Sequence, residues 1–261
     1  MSVVDQENGF AGGRSGADHS GPLRFAWSAW LTSSYFAGLV LFAPLTLAIV
    51  ALSAFFLIFS VVNPPKSSLM LWRQLGGETI DQTWVPLERM SPHLVRAVIS
   101  SEDARFCLHG GIDWRELDLA MARSRRRGGD LSKIRGASTI SMQVTKNLLL
   151  WPGRDFVRKG LELAITPLME VIWSKRRVLE VYLNIAEWGP GVFGAEAAAQ
   201  VHFGKSANAL TAREASLLAA ALPNPIEREA GRPGRVTRRH AQRIRRRMPS
   251  AKAYAGCVLG K

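Results

Sequence analysis

Apolar residues recur at helical spacing through most of the chain beyond residue 91. In the segment 92–102, Val95, Val98 and Ile99 fall on one helical face, and Ser91 followed by Pro92 is a typical helix start. Gly110 and Gly111 follow closely, so this helix should end near residue 102. The same periodicity predicts further helices that begin after four capping residues: Asp113, Asp155, Ser174 and Thr211.

A longer apolar pattern precedes these helices. No charged residue lies between positions 25 and 65, and positions 35–62 are almost wholly apolar, longer than the ~20 residues a helix needs to cross a bilayer. A cleavable signal peptide fits less well, because the apolar core is too long and its N-terminal flank is not strongly basic. We predict a short cytoplasmic segment 1–34, a transmembrane helix 35–62, a globular domain 66–247 and a C-terminal tail 248–261.

Charge is unevenly distributed along the chain. The net charge is +13, yet the first 24 residues carry a net −1. The basic part is therefore the body of the protein, and it favours anionic partners such as phosphorylated ligands, lipid head groups or nucleic acid. Nine arginines lie in the segment 228–247. No nucleic-acid recognition motif accompanies them, so we expect a solvated or membrane-facing segment and no nucleic-acid partner.

The two cysteines, Cys107 and Cys257, are 150 residues apart. A disulfide stays open, but two unclustered cysteines are more often separate thiols. Cysteine and histidine form no cluster with metal-ligand spacing, so a zinc site is not expected.

Glu102 and Asp103 stand side by side at the predicted helix end, followed by His109 and two glycines. If both acids are partly buried, they compete for ionisation, and one acquires the raised pKa of a general base. The alternative is a solvated acidic pair at a helix terminus.

A second candidate group lies downstream. Ser138 is a candidate N-cap, and Met142 and Lys146 follow it at intervals of four with Gln143 beside them. Such a helix start is suited to an anion such as a diphosphate, although a hydroxyl residue at a cap is also ordinary.

A third group shares one face of the helix after Asp155. Arg158 and Lys159 lie four and three residues before Glu162. The simplest interpretation is a surface ion pair worth ~0.3–0.5 kcal/mol.

Five ordered motifs follow one another over about 97–223. They are EDARF with His109-Gly110-Gly111, GASTIS-MQ with Lys146-Asn147, RKGLE, KRRVLEVYLN with Glu187-Trp188-Gly189, and GVFGAEAAAQVHFGK. Taken together, these motifs resemble the glycosyltransferase family that polymerises peptidoglycan, specifically its monofunctional biosynthetic transglycosylases. One departure is visible, since many members have two consecutive glutamines where this chain has Met142 and Gln143.

The resemblance implies a mainly α, lysozyme-like, two-lobed glycosyltransferase domain preceded by a single transmembrane helix. Its smaller lobe would be partly sunk in the bilayer, and the domain would lie in the periplasm at the bacterial inner membrane. The implied substrate is lipid II, a disaccharide-pentapeptide on a polyprenyl diphosphate. The implied reaction adds it to a growing glycan chain with inversion, forming β-1,4 links and releasing polyprenyl diphosphate. Division or elongation cell wall synthases are the protein partners it implies.

The resemblance also implies residue roles. Glu102 would be the base, Asp103 would orient nearby groups, and Glu162 would position cations or a metal. No essential cofactor is expected, while a magnesium or manganese ion at the diphosphate, held by Glu162, stays open. The diphosphate would be held by Lys146, Arg154, Arg158 and Lys159, and further substrate contacts would come from Ser138, Thr139 and Gln143.

Two other functions compete with this interpretation. A lytic, lysozyme-like glycosidase would need a proton donor for a sugar alkoxide, and a cation cluster would be of little use to it. A membrane-anchored scaffold with vestigial residues would not need intact acids at 102 and 162. The sequence contains neither S-x-x-K nor K-T-G, so no transpeptidase activity is expected.

Overall fold

The computed structural model describes residues 42–126, 128, 136–153, 155–253 and 255–260. The chain divides into two compact units, Met1–Leu52 and Ser53–Lys261. Within the described ranges, α1 (Phe42–Val61) is the one helix long and apolar enough to cross a membrane, and it is almost entirely exposed. It coincides with most of the predicted span 35–62. The predicted segment 1–34 lies outside the described residues.

The rest of the described chain is mainly helical, as predicted. Serine and threonine side chains cap α3, α7 and α9, and at α9 Thr211 and Glu214 form a reciprocal capping box. These three helix starts are confirmed. The helices are α2 (Ser68–Leu75), α3 (Pro92–Glu102), α4 (Trp114–Arg126), α5 (Ile140–Leu149), α6 (Phe156–Ile172), α7 (Lys175–Ile185), α8 (Ala195–Phe203), α9 (Ala212–Ala221), α10 (Arg235–Arg247) and α11 (Gly256–Leu259).

Three short strands form one small sheet, in the order β1, β3, β2. The strand β1 (Asp81–Gln82) runs parallel to β3 (Val192–Phe193), and β2 (Glu187–Gly189) runs antiparallel to β3. Between the last two strands, Gly191 adopts a positive φ of 69°, and a side chain there would collide with the Thr79 carbonyl oxygen. The sheet therefore ties the segment after α2 to the segment between α7 and α8.

The core forms where helices cross. The helix α3 packs on α9 and α10, and α5 packs against both α6 and α7. The interior is filled by large apolar side chains, among them Trp188, Phe106, Phe193, Leu94 and Ile99. This packing fixes the positions of α3 and α5, which meet at the C-terminal end of α3.

The last turns of α1 that belong to the second unit are held by polar contacts. The Trp173 indole N–H donates to the Phe56 carbonyl at 2.6 Å, and the Arg177 guanidinium donates to the carbonyls of Phe59 and Val62. Phe56 itself is fully buried. The second compact unit therefore includes the last turns of α1.

The arginine-rich segment forms a helix that packs on the folded unit. Residues 235–247 form α10, which buries Thr237, Ala241 and Ile244 against α9 and α3 and leaves its arginines exposed. These buried residues recur at intervals of four and three, so they make the apolar stripe of an amphipathic helix. The high arginine content of the segment makes this stripe difficult to recognise from the sequence.

The expectation of separate thiols is wrong. Cys107 and Cys257 form a disulfide. The fold brings α11 beside the short 3₁₀ turn Phe106–Leu108 that follows α3, although 150 residues separate the two cysteines. The bond ties the C-terminal segment to the loop carrying Asp103.

Candidate active site

Glu102 is the last residue of α3, and its side chain is half-buried. Burial raises the pKa of Glu102, and the negative charge of Asp103 adds to this effect. Three groups oppose the rise: Ser101 donates to one oxygen at 3.3 Å, Gln143 donates to the other at 3.2 Å, and Lys146 contributes a positive charge. Glu102 is therefore not one half of a solvated acidic pair.

Asp103 leaves the helix and turns into the interior. Its carboxylate accepts hydrogen bonds from His109 Nε2 at 3.0 Å and from the backbone N–H of Ile140, also at 3.0 Å. It therefore joins the end of α3, the glycine loop and the start of α5. This position suits a residue that holds the site together.

The glycine loop fits closely against α6. Gly111 has a φ of 94°, and an added Cβ would lie 2.9 Å from side-chain atoms of both Thr166 and Glu170. Its carbonyl accepts a hydrogen bond from the Thr139 hydroxyl. Glycine is required here by both backbone conformation and space.

The N-cap of α5 is Thr139, so the prediction of Ser138 is wrong by one residue. The Thr139 hydroxyl oxygen accepts from the Met142 N–H at 3.1 Å. Ser138 is exposed and instead accepts a hydrogen bond from the Lys159 ammonium at 2.9 Å. Both residue types can cap a helix. Thr139 is the buried one of the two, and its hydroxyl also bonds the distant Gly111 carbonyl.

Arg158, Lys159 and Glu162 form a buried cluster on α6 rather than a surface ion pair. Glu162 uses one carboxylate oxygen for Arg158 and the other for Lys159, the latter at 2.7 Å. The Glu162 and Arg158 side chains are only 3 % and 8 % exposed, whereas Lys159 is 35 % exposed. Asp155 caps this helix by accepting from the Arg158 N–H.

Lys146 lies on α5, where the charges of both Glu102 and Glu162 act on it. Burial lowers the pKa of Lys146, and the nearby charges of Arg158 and Lys159 lower it further, whereas Glu162 and Glu102 raise it. Within the described residues no carboxylate lies at ion-pair distance from its ammonium group. Arg158 and Lys159 pair with the buried carboxylate of Glu162, and Lys146 adds a third positive charge nearby. The group therefore carries an excess of positive charge.

Three other predicted positions have simple outcomes. Arg154 lies outside the described residues. Met142 is buried in the interior, so no surface remains there for a polar substrate contact. Gln143 is half-buried and lies between Glu102 and the hydroxyl of Tyr182.

The donor set does not fit a resident divalent cation at Glu162. Magnesium takes oxygen ligands, commonly from one or two carboxylates together with substrate phosphates. Both Glu162 oxygens already bind cations, and the part of the chain that the structure describes holds no group of three side chains suited to a metal.

A cleft of roughly 250 Å³ opens beside Glu102. Ser138, Thr139 and Asp103 line it, together with two arginines that sequence reasoning did not single out, Arg105 and Arg247. Arg105 pairs with Asp113 at 2.8 Å. Arg247 comes from the end of α10, and no local sequence pattern indicated its approach to the cleft.

The sequence matches the family model described as "Transglycosylase" over residues 70–249. The chain belongs to this transglycosylase family. The matched range contains every helix from α3 to α10, and therefore both Glu102 and the cations on α5 and α6.

Named relatives agree with this assignment. The transglycosylase is 50 % identical over 195 residues to a "Biosynthetic peptidoglycan transglycosylase" of Agrobacterium fabrum, covering 75 % of this chain and 84 % of the relative. It is 50 % identical over 220 residues to a protein of the same name from Rhodospirillum centenum, covering 83 % and 92 %. A third, from Jannaschia sp., is 53 % identical over 188 residues, covering 71 % and 74 %. The predicted family is confirmed.

Proposed function

We propose that this transglycosylase polymerises lipid II into β-1,4-linked glycan strands, with inversion at the anomeric carbon and release of polyprenyl diphosphate. The observation that carries the proposal is that a half-buried carboxylate whose pKa is raised by burial, Glu102, neighbours an excess of cations at Lys146, Arg158 and Lys159. These are the two kinds of group that the reaction needs.

Glu102 is the base of the proposed mechanism. It removes the proton from the 4-hydroxyl of the acceptor lipid II, and the oxygen forms a bond to C1 of the donor sugar. The bond between C1 and the diphosphate oxygen breaks on the opposite face, so the configuration at C1 inverts. A raised pKa suits a carboxylate that must accept a proton from a hydroxyl group.

The cations stabilise the leaving group. Negative charge grows on the diphosphate as its bond to C1 breaks, and positive groups fixed before the reaction lower the barrier most effectively. Glu162 holds Arg158 and Lys159 in place through both of its oxygens. Because diphosphate leaves as a stable anion, no strong general acid is needed.

This chemistry favours synthesis over lytic cleavage. A lytic glycosidase must protonate a departing sugar alkoxide, and it uses a second carboxyl group across the scissile bond. Here the second buried acid, Glu162, is already occupied by two cations. The arrangement suits a departing diphosphate.

We further propose that α1 crosses the inner membrane, with the catalytic unit in the periplasm. The Cys107–Cys257 disulfide supports this, since such bonds persist in oxidising compartments. Exposed apolar side chains on α4 and α6, including Trp114 and Phe156, suit contact with lipid. A reporter active only in the cytoplasm, fused to the C-terminus, should be silent.

The function is tested directly with the purified full-length chain and labelled lipid II in detergent or vesicles. We expect a labelled polymer that lysozyme digests to short fragments. Absence of polymer from folded protein across a range of pH would contradict the proposal.

A further inference from the structure

The hydroxyl group of Tyr182 contacts the candidate active site. Its side chain lies on α7 and is buried, with 1 % of its surface exposed. The phenolic oxygen is 3.2 Å from Gln143 Oε1, and Gln143 Nε2 is 3.2 Å from Glu102 Oε2. Three side chains from α7, α5 and α3 thus form one continuous hydrogen-bonded series.

The direction of this series is fixed by its two ends. An ionised carboxylate such as Glu102 only accepts hydrogen bonds, so the side of the Gln143 amide that faces it must be the NH₂ group. The amide oxygen then faces Tyr182, whose hydroxyl donates to it. Burial raises the pKa of Tyr182 well above its ordinary value, and the charges of Glu102 and Asp103 act in the same direction, so the hydroxyl keeps its proton.

We propose that Tyr182 is a positioning residue for the catalytic base: its hydroxyl donates to the Gln143 amide oxygen and so holds the amide NH₂ group in place to donate to Glu102. The inference rests on the proposed function, because it requires Glu102 to act as the base. It also gives Gln143 a different role from the predicted one, since its amide supports the base instead of contacting substrate.

The proposal has a definite electrostatic consequence. The bond from Gln143 stabilises the charged form of Glu102 and opposes the effect of burial on its pKa. Without the Tyr182 hydroxyl, the Gln143 amide loses one of the two hydrogen bonds that hold it in place, and its bond to Glu102 weakens or is lost. The pKa of Glu102 should then rise, and a higher pH is needed to ionise the base.

The test is the pH dependence of polymerisation by Tyr182→Phe. The acid limb of kcat/KM should move up by about one pH unit, in line with the loss of one hydrogen bond to a charged group. At a pH below the wild-type limb this corresponds to a roughly tenfold lower rate. The matched control is Val181→Ala, a neighbouring buried residue on α7, which should lower Tm and leave the limb in place.

Gln143→Leu gives a second route if Tyr182→Phe folds poorly. It should move the acid limb in the same direction, and adding Tyr182→Phe to it should move the limb no further, because the two residues act in series. The inference is overturned if folded Tyr182→Phe keeps the wild-type limb, or if the two shifts add. Lack of polymer from the wild type would instead contradict the proposed function.

Discussion

Replacing Glu162 by glutamine removes the only carboxylate that pairs with Arg158 and Lys159 within the described residues. Arg158 is buried, and it would be left with an unpaired charge beside two other cations. Breaking a buried ion pair costs about 3–5 kcal/mol. Lys159 is a third exposed, so water screens its share and we assign it no additional cost.

The assay is thermal unfolding of the purified protein at neutral pH. For a unit of this size each kcal/mol lowers Tm by about 2–4 °C, so Glu162→Gln should lose roughly 6–20 °C. The control is Glu88→Gln, which removes an exposed ion pair with Arg176 and should cost under ~1 kcal/mol. If the two variants lose equal stability, the buried cluster does not have the energetic role described above.

The same variant should polymerise more slowly, because Arg158 and Lys159 lose the acceptor that orients them. Its relative defect should be equal in magnesium and in a chelator, since neither Glu162 oxygen is available to a metal. A defect that appears only with magnesium would assign Glu162 to a metal instead.

Two further results are expected. The double variant Cys107→Ser with Cys257→Ser opens a loop of 150 residues and should lower the free energy of unfolding by about 5 kcal/mol in urea denaturation. A loss below ~1 kcal/mol would show that the bond constrains little. Glu102→Gln removes a carboxylate whose pKa is raised on folding, so wild-type stability falls relative to the variant as pH rises above the ordinary glutamate value. The variant should therefore have the higher Tm at neutral pH, and a constant difference down to acidic pH, where Glu102 is neutral in both states, would contradict the raised pKa.

Local features of the fold could be predicted from the sequence. Caps at Ser91, Ser174 and Thr211 depend on a few adjacent residues, so they could be located without tertiary information. The common face of Arg158 and Glu162 follows from helical spacing alone. Their burial does not, because it depends on the packing of α6 against α5.

Contacts between distant segments could not be predicted from spacing. The hydroxyl of Tyr182 and the amide of Gln143 are 39 positions apart, and helical periodicity marks Tyr182 only as an inward residue. Arg247 reaches the cleft because a hidden apolar stripe folds α10 onto α9. Both contacts depend on the tertiary packing of distant helices, which the local sequence pattern does not specify.

The proposed role of Glu102 as the base is tested most directly by polymerisation of labelled lipid II with Glu102→Gln beside the wild type. The substitution keeps the size of the side chain and removes its ability to accept a proton. We predict a rate lower by roughly 10²–10⁴-fold, with lipid II binding nearly unchanged and no loss of Tm. Near-normal polymerisation by the folded variant would contradict the mechanism.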